Sequence, residues 1–443
     1  MFQKGLFFFL FINLSLGTVF SQGFNKTKLD SLFDALAIND KAMGSVAVSK
    51  NGKVVYSRAI GYKGINEKEK LMSDVETKYR VGSISKMFTS TLVFQLIEQG
   101  KMSLTTTLDQ YFPQVPNAKI ITISNLLNHR SGLHNFTDEP DYVTWMTSPK
   151  TKEEMLAVMC KYKVDFEPNA KFSYSNANYV LLGYIIEKVC KKTYAEVLKD
   201  RIVDKIGLKN TYVGAKINIA YNECNSYLYA STWELHLETD MTVPGGAGFI
   251  VSTPSELTTF ITALFAGKLV TKNSLLYMKT MTDGYGMGLI AIPFYAKQGF
   301  GHTGGIDGFR SVVVYFTEDS VAVSYCGNGE HMSRNDILVG VLSIYYDKPY
   351  VIPSFKSIVL SEKELDVYVG VYASAQMPLV ITITKQQAVL MAQATGQSAF
   401  PLEVKGIDVF GFVPAGIIME FNPSKNELVL KQAGQRFLFA KQK

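Results

Sequence analysis

The sequence predicts an α/β (α+β) protein in which helices flank an antiparallel sheet, a helical insert separates the two parts of that sheet, and an all-β domain follows. Strand patterns at 44–50 and 53–61 return only after residue 285, and the stretch from about 105 to 250 contains helical patterns. Beyond residue 355, short alternating runs are spaced as in a small barrel or sandwich.

The first element is a hairpin, because the dipeptide Asn51-Gly52 separates the two opening strands and favours a two-residue turn. A helix follows at 83–100, where apolar residues recur at helical spacing and Gly100 fits the position just after a helix. The insert contains predicted helices at 123–128, 152–160, 176–190 and 194–203.

The sheet resumes after a helix that begins at Thr253, an N-cap residue followed by Pro254. Predicted strands then lie at 286–292, 299–302, 311–316 and 321–326, and a last helix lies at 336–346. Two prolines in the stretch 348–353 exclude a helix or a central strand and indicate a linker. In the final domain, strands are predicted at 367–372, 379–384, 418–421, 427–431 and 436–440.

Composition indicates a globular protein and argues against several function classes. Of 443 residues, 47% are hydrophobic and 19% are charged, and the net charge of +6 is scattered along the chain. Without a basic block, we expect no nucleic-acid partner. The four cysteines and five histidines show no metal-ligand spacing, so we expect no metal and no other cofactor. Whether the cysteines pair is left open.

The N-terminus has the pattern of a cleavable signal peptide. Lys4 precedes an apolar run at 5–20, and a small residue, Ser21, follows it. We predict cleavage after Ser21 and a periplasmic or secreted protein with no stable membrane span. A membrane anchor is the alternative, but the run is near the short limit for a span and is interrupted by Asn13 and Ser15.

The serine and lysine of Ser83-Ile84-Ser85-Lys86 lie three positions apart at a predicted helix start, so they share one face and can form a hydrogen bond. A lysine so placed can take the proton of the serine hydroxyl and make it a nucleophile. A serine that caps a helix would give the same pattern. However, no second Ser-x-x-Lys occurs in the chain, and Gly82 permits close approach of the backbone.

Two further motifs each occur once. In Tyr174-Ser175-Asn176, a turn before a helix would aim the two alternate side chains at one cleft, although a helix cap would look alike. The second motif is the tetrapeptide His302-Thr303-Gly304-Gly305, at the end of a predicted strand. There His302 and Gly304 face one way, although a glycine-rich turn explains the tetrapeptide when it is taken alone.

In this order, the three motifs strongly resemble those of the penicillin-recognising serine hydrolases: class C β-lactamases, D-alanyl-D-alanine carboxypeptidases, D-aminopeptidases and related esterases. The stretches 126–133, 244–248 and 285–289 support the resemblance, which covers about residues 30–347. The C-terminal segment resembles the lipocalin-like β-barrel domain sometimes appended to such enzymes. The implied organisation is a signal peptide at 1–21, a β-lactamase/transpeptidase-like serine hydrolase domain at 22–350 and a C-terminal β-barrel at 355–443.

The resemblance implies an acyl-enzyme route. Ser83 attacks a carbonyl, Lys86 and Tyr174 move the proton, and the backbone N–H groups of Ser83 and Gly305 form the oxyanion hole. Free tyrosine and lysine have pKa values of about 10 and 10.4, so one of the two must lose its proton in the resting enzyme, and which one is left open. Asn176 would hold the substrate amide or the Lys86 ammonium. The implied substrate-binding residues are Asn176, His302, Thr303 and Gly304.

One departure from the lactamase pattern concerns the substrate. Where lactamases carry a lysine, this chain has His302, which at an unperturbed pKa of about 6.5 is mostly neutral at neutral pH. We therefore expect a hydrolase of D-amino-acid peptides (D-Ala carboxypeptidase or D-aminopeptidase type) or of small esters. Its partner would be a small-molecule or peptide substrate, such as one derived from peptidoglycan. The alternatives are a class C-like β-lactamase and a penicillin-binding sensor without turnover.

Overall fold

The computed structural model describes residues 24–355, 360–412, 415–432 and 435–442. The predicted signal peptide lies outside these residues. The chain divides into two compact units, Met1–Ile352 and Pro353–Lys443. Within the described part of the chain, no helix combines the length and the apolar character that a membrane crossing requires.

The first unit combines a large sheet with helices and shorter strands. Its strands are β1 (Ala42–Lys50), β2 (Lys53–Ile60), β3 (Tyr62–Ile65), β4 (Lys70–Met72), β5 (Tyr79–Arg80), β6 (Tyr212–Val213), β7 (Tyr227–Tyr229), β8 (Trp233–Leu235), β9 (Ile250–Ser252), β10 (Ile290–Phe294), β11 (Lys297–Ile306), β12 (Phe309–Phe316) and β13 (Val321–Glu330). Its helices are α1 (Lys26–Ile38), α2 (Ser85–Glu98), α3 (Ile123–Leu127), α4 (Tyr142–Trp145), α5 (Lys152–Lys161), α6 (Asn176–Cys190), α7 (Tyr194–Leu198), α8 (Asp204–Ile206), α9 (Pro254–Phe265), α10 (Lys272–Lys279) and α11 (Arg334–Tyr345).

The main sheet confirms the predicted assembly from two parts of the chain. Its strand order is β10-β11-β12-β13-β1-β2, and neighbouring strands along this path are antiparallel. The hairpin prediction is also confirmed, since Asn51 and Gly52 both have positive φ, at 52° and 75°. Strand β13 crosses the middle of the sheet and joins the two parts, so residues from both meet beside it.

Several strand boundaries were wrong, among them the end of β13, which lies at Glu330 rather than Cys326. Strand β11 continues to Ile306, whereas the prediction ended it at His302, because its glycines still form cross-strand pairs with β12. Strand β10 begins at Ile290, four residues later than predicted. The small sheet β5-β9-β6 was missed altogether, because strands of two or three residues are too short to show alternation.

Helix α2 runs through the interior of the first unit, and its residues from Ser85 to Leu96 are all buried. A short 3₁₀ turn, Gly82–Ile84, precedes it, so the regular helix begins two residues after the predicted start. Phe88 stacks on Phe260 of α9 with ring centroids 3.8 Å apart, which anchors the helix against its neighbour. The first turn of α2 is therefore packed inside the protein.

The second unit contains the predicted C-terminal barrel. Eight antiparallel strands form a closed ring in chain order, and the last pairs with the first. They are β14 (Gly370–Ala373), β15 (Val380–Gln386), β16 (Val389–Ala394), β17 (Phe400–Gly406), β18 (Val409–Phe412), β19 (Ile417–Asn422), β20 (Glu427–Gln432) and β21 (Gln435–Lys441). A short helix, α12 (Glu362–Leu365), precedes them. Buried apolar side chains from alternate strand positions form its core, including Ile381, Leu390, Phe410 and Phe439.

Candidate active site

Ser83 sits in the 3₁₀ turn before α2 and is partly exposed. The turn depends on Gly82, whose φ is +52°. A Cβ atom at that position would lie 2.8 Å from both the nitrogen and the carbonyl oxygen of Gly305 in β11. Glycine thus lets the backbone around Ser83 approach β11 closely. As a result, the backbone of Gly305 lies beside that of Ser83.

Lys86 projects from the first turn of α2 and is fully buried. Its Nζ lies 2.9 Å from Ser83 Oγ, 2.8 Å from Asn176 Oδ1 and 2.9 Å from the carbonyl oxygen of Ala247. None of the described carboxylates forms an ion pair with it. Three uncharged oxygen atoms therefore surround this amine.

A chain of hydrogen bonds determines which way the Asn176 amide points. Asp138 accepts a bond from the side-chain nitrogen of Asn135 at 2.7 Å, so the Asn135 oxygen is free to accept. That oxygen receives the backbone N–H of Asn176 at 2.9 Å and its side-chain nitrogen at 3.3 Å, and Thr137 accepts from the same nitrogen at 3.1 Å. The Asn176 oxygen must then face Lys86.

Tyr174 lies two residues before α6, and its hydroxyl donates to Ser83 Oγ at 2.8 Å. Burial raises the pKa of Tyr174 well above its usual value, so the hydroxyl stays protonated at neutral pH. The imidazole of His129 stacks on the ring. Its Nδ1 accepts the backbone N–H of Ser175 at 3.2 Å and the side-chain nitrogen of Asn178 at 3.1 Å.

Burial decides the protonation of Lys86. Desolvation lowers the pKa of Lys86 well below its usual value of about 10.4. The rings of Tyr174 and Tyr179 favour the ammonium, since their centroids lie 4.8 and 5.7 Å from Nζ, but such contacts contribute about 0.5–2 kcal/mol. Full burial disfavours the charged form, so this direction of shift favours the neutral amine.

A neutral amine fits the hydrogen bonds around it. It has two N–H donors and one lone pair, and the oxygens of Asn176 and Ala247 can only accept. The lone pair then faces Ser83 Oγ, whose proton it can receive, while Tyr174 donates to the same oxygen. This arrangement can activate a serine and supply a proton beside it.

His302 lies beneath this cluster rather than at its surface. Its side chain is 3% exposed; Nδ1 donates to the carbonyl of Thr303 at 2.5 Å, and Nε2 accepts the Tyr285 hydroxyl at 3.1 Å. Burial, together with nearby Lys86, lowers the pKa of His302 to about 3, so the ring is neutral. Its predicted contact with substrate stays a prediction, and the contact observed is with Tyr285.

The rest of the tetrapeptide lies along β11. Thr303 is partly exposed, whereas Gly304 packs so tightly that a Cβ atom there would lie 2.0 Å from the carbonyl oxygen of Val81. Gly305 is exposed. The structure thus brings together Ser83, Lys86, Tyr174, Asn176 and Gly305.

Sequence reasoning missed several of the surrounding residues. Ala247 and His129 belong to the stretches 244–248 and 126–133, which were noted only as part of a resemblance. Asn135 could not be singled out from the sequence, because an isolated asparagine belongs to no recognisable motif. In the part of the chain that is described, no group of three or more possible ligands forms a metal site.

Comparison with known proteins identifies the family. Residues 29–342 match the family described as Beta-lactamase, which is more than half of the chain. The chain belongs to the beta-lactamase family. This confirms the resemblance and the fold class expected from the three motifs, and it makes the protein a serine hydrolase of the class that includes the penicillin-binding proteins.

The chain is similar in sequence to two bacterial proteins of this kind. Penicillin-binding protein 4* of Bacillus subtilis is 27% identical over 364 residues, covering 74% of this chain and 78% of the relative. Teichoic acid D-alanine hydrolase of Staphylococcus aureus is 29% identical over 326 residues, covering 70% of this chain and 77% of the relative.

Solved structures agree with the fold. D-amino acid amidase from Ochrobactrum anthropi SV3 aligns with a TM-score of 0.64 and 26% identity, covering 73% of this chain and 98% of the amidase chain. A penicillin-binding protein homologue from Pyrococcus abyssi aligns with a TM-score of 0.66 and 23% identity over 94% of this chain and 100% of its own. The second likeness concerns the fold alone.

Proposed function

We propose that this protein hydrolyses amides or esters of D-amino acids through an acyl-enzyme on Ser83. The main support is a pair of contacts to Ser83 Oγ, from Lys86 Nζ at 2.9 Å and from the Tyr174 hydroxyl at 2.8 Å. The substrate class is supported by two relatives whose names specify D-amino acids, the D-amino acid amidase and the teichoic acid D-alanine hydrolase.

In the proposed acylation, neutral Lys86 takes the proton of Ser83 while Oγ bonds to the substrate carbonyl carbon. The backbone N–H groups of Ser83 and Gly305 hold the resulting oxyanion. When the bond from carbon to the leaving group breaks, Tyr174 gives its proton to the departing amine or alcohol. The Lys86 ammonium then returns a proton to the Tyr174 phenolate through solvent.

Deacylation repeats these steps with water in place of the serine. Neutral Lys86 takes a proton from water, the hydroxyl oxygen bonds to the acyl carbon, and the ester bond to Ser83 breaks. Ser83 Oγ recovers the proton, and the carboxylic acid leaves. No cofactor is needed in this route, because every proton that is taken up is returned.

We propose only slow β-lactam turnover. A β-lactam presents a carboxylate, and His302 is neutral and faces Tyr285, so it supplies no cation for that carboxylate. D-Ala carboxypeptidase and esterase activities, including action on a peptidoglycan-derived peptide, remain within the proposed reaction class.

We further propose export with cleavage after Ser21, supported by Lys4 and the apolar run at 5–20. N-terminal sequencing of the protein from fractionated cells tests this proposal. Retention of Lys4 on the isolated protein would contradict it.

Intact-mass spectrometry tests the catalytic proposal. The protein is mixed with amides and p-nitrophenyl esters of D- and L-amino acids and with a fluorescent penicillin, and product and adduct masses are followed over time. We expect D-selective turnover, which Ser83→Ala abolishes and the exposed-site control Ser103→Ala retains. If Ser83→Ala hydrolyses these substrates as fast as wild type, the proposal is wrong.

A further inference from the structure

A cavity of about 320 Å³ opens directly beside Ser83. It reaches the lower end of the range for small-molecule sites, roughly 300–1,000 Å³. Its catalytic end contains Ser83, Asn176 and Gly305. The rest of its wall is formed largely by apolar side chains: Phe136, Tyr142, Val143, Met146 and Ile306.

The position of Tyr174 indicates which part of a substrate this cavity receives. The leaving group must depart on the side where a proton donor contacts Ser83 Oγ, and Tyr174 is that donor in the proposed function. Among the described residues that line the cavity, neither Tyr174 nor Thr303 occurs. The cavity therefore lies on the acyl side of the scissile bond.

Three ionisable side chains line the described part of this wall, namely Asp307, Tyr142 and His236. The side chain of Asp307 is 1% exposed, and its carboxylate pairs with Arg80 at 3.1 Å and accepts the Thr239 hydroxyl at 2.5 Å. Burial raises the pKa of Tyr142 to about 12, so its hydroxyl is neutral. His236 Nδ1 contacts the carbonyl of Leu237 at 2.9 Å. An apolar group entering the cavity thus meets no unpaired carboxylate.

The volume of the cavity is large compared with a small acyl side chain. The methyl group of an alanyl substrate would leave most of the cavity filled with water.

We propose that the acyl group accepted by this enzyme carries a bulky apolar side chain, aromatic or branched aliphatic, and that alanyl substrates are poor. The inference rests on the proposed function. Each methylene buried in such a wall adds to the preference, because a hydrophobic pocket distinguishes substrates by about tenfold or more per group.

The test uses wild-type protein and one leaving group throughout. Rates are measured for D-alanine, D-leucine and D-phenylalanine p-nitroanilides. We expect kcat/KM to rise at least about tenfold from D-alanine to D-phenylalanine. Faster hydrolysis of the alanine compound would overturn this inference and leave the proposed function intact. Absence of Ser83-dependent hydrolysis across the series would overturn both.

Substitution of the wall gives a second measurement. Ile306→Trp fills the cavity, so the ratio of phenylalanine to alanine kcat/KM should fall at least about fivefold. Leu276→Trp is the matched control, since Leu276 is an exposed residue of α10, and it should keep the wild-type ratio. An unchanged ratio in folded Ile306→Trp would contradict the inference, and the wild-type series still tests it if this variant does not fold.

Discussion

The imidazole of His129 stacks on the ring of Tyr174, with centroids 4.2 Å and planes 27° apart. His129 also holds the backbone N–H of Ser175, the next residue along the chain. Burial, reinforced by nearby Lys86, holds the pKa of His129 well below its usual value, so the ring stays neutral and can accept this bond. One buried side chain thus contacts both the ring and the backbone beside the proposed proton donor.

Replacement of His129 should therefore impair the chemical step. His129→Phe keeps a ring against Tyr174 but leaves the Ser175 N–H without its acceptor, at a cost of about 1–3 kcal/mol in stability. We expect kcat to fall about tenfold or more with little change in KM, because Tyr174 loses its position and the cavity does not. Steady-state kinetics check this expectation, and a loss confined to thermal stability would contradict it.

The directions of the two pKa shifts predict the pH dependence. The pKa of Lys86 is lowered and that of Tyr174 is raised, both chiefly by burial. The proposed mechanism needs the neutral amine of Lys86 and the protonated phenol of Tyr174. As pH rises, kcat/KM should increase through a pKa well below 10.4, and it should fall only above about pH 10. A fall in kcat/KM as the pH rises from about 7 to about 9 would contradict this assignment.

Asn176→Asp should shift the rise of kcat/KM on the acid side of that profile to higher pH. The new carboxylate would lie about 2.8 Å from Lys86 Nζ and favour the ammonium, which raises the pKa of Lys86. Activity at neutral pH then falls and recovers at higher pH. Thr137→Val is the control, because it removes a hydrogen bond to Asn176 without adding charge and should leave that rise in place.

Gly82→Ala should separate Ser83 from Gly305. The added Cβ would meet the Gly305 backbone at 2.8 Å, and the positive φ adds about 1–2 kcal/mol of strain. Because Gly305 is a proposed oxyanion donor, its displacement should lower kcat by about 10²–10³-fold. At Gly100, φ is also positive but nothing lies within 4 Å of an added Cβ. Gly100→Ala should thus destabilise mildly and keep kcat; equal kcat in the two variants would refute the argument.

The ion pair of Arg80 with Asp307 should matter for stability. Both side chains are almost fully buried, at 2% and 1% exposure, and the pair links β5 to the residue just after β11. Asp307→Ala should lower the free energy of unfolding by about 3–5 kcal/mol. Asp204→Ala, which breaks an exposed pair with Lys199, should change it by less than about 1 kcal/mol. Urea unfolding measures both, and equal effects would count against the prediction.

Much of the fold could be predicted where a signal lies within one segment. The hairpin at Asn51-Gly52 and the α6 helix follow from local periodicity and turn chemistry. For the last domain the strand spacing indicates a small barrel or sandwich, and the family resemblance favours the barrel that is observed. The strands β16, β17 and β18 were not predicted. The burial of His302 could not be predicted either, because whether a strand residue faces a cleft or the interior depends on what packs against the sheet.

The sequence alone determined that Ser83 and Lys86 would meet, because three positions of a helix bring two side chains to the same face whatever surrounds them. Only the tertiary structure decided what that pair can do. The Ala247 carbonyl comes from 161 residues away, and the burial that lowers the pKa of Lys86 comes from segments distant along the chain. Desolvation is a property of all the atoms around a group, so no local pattern records it.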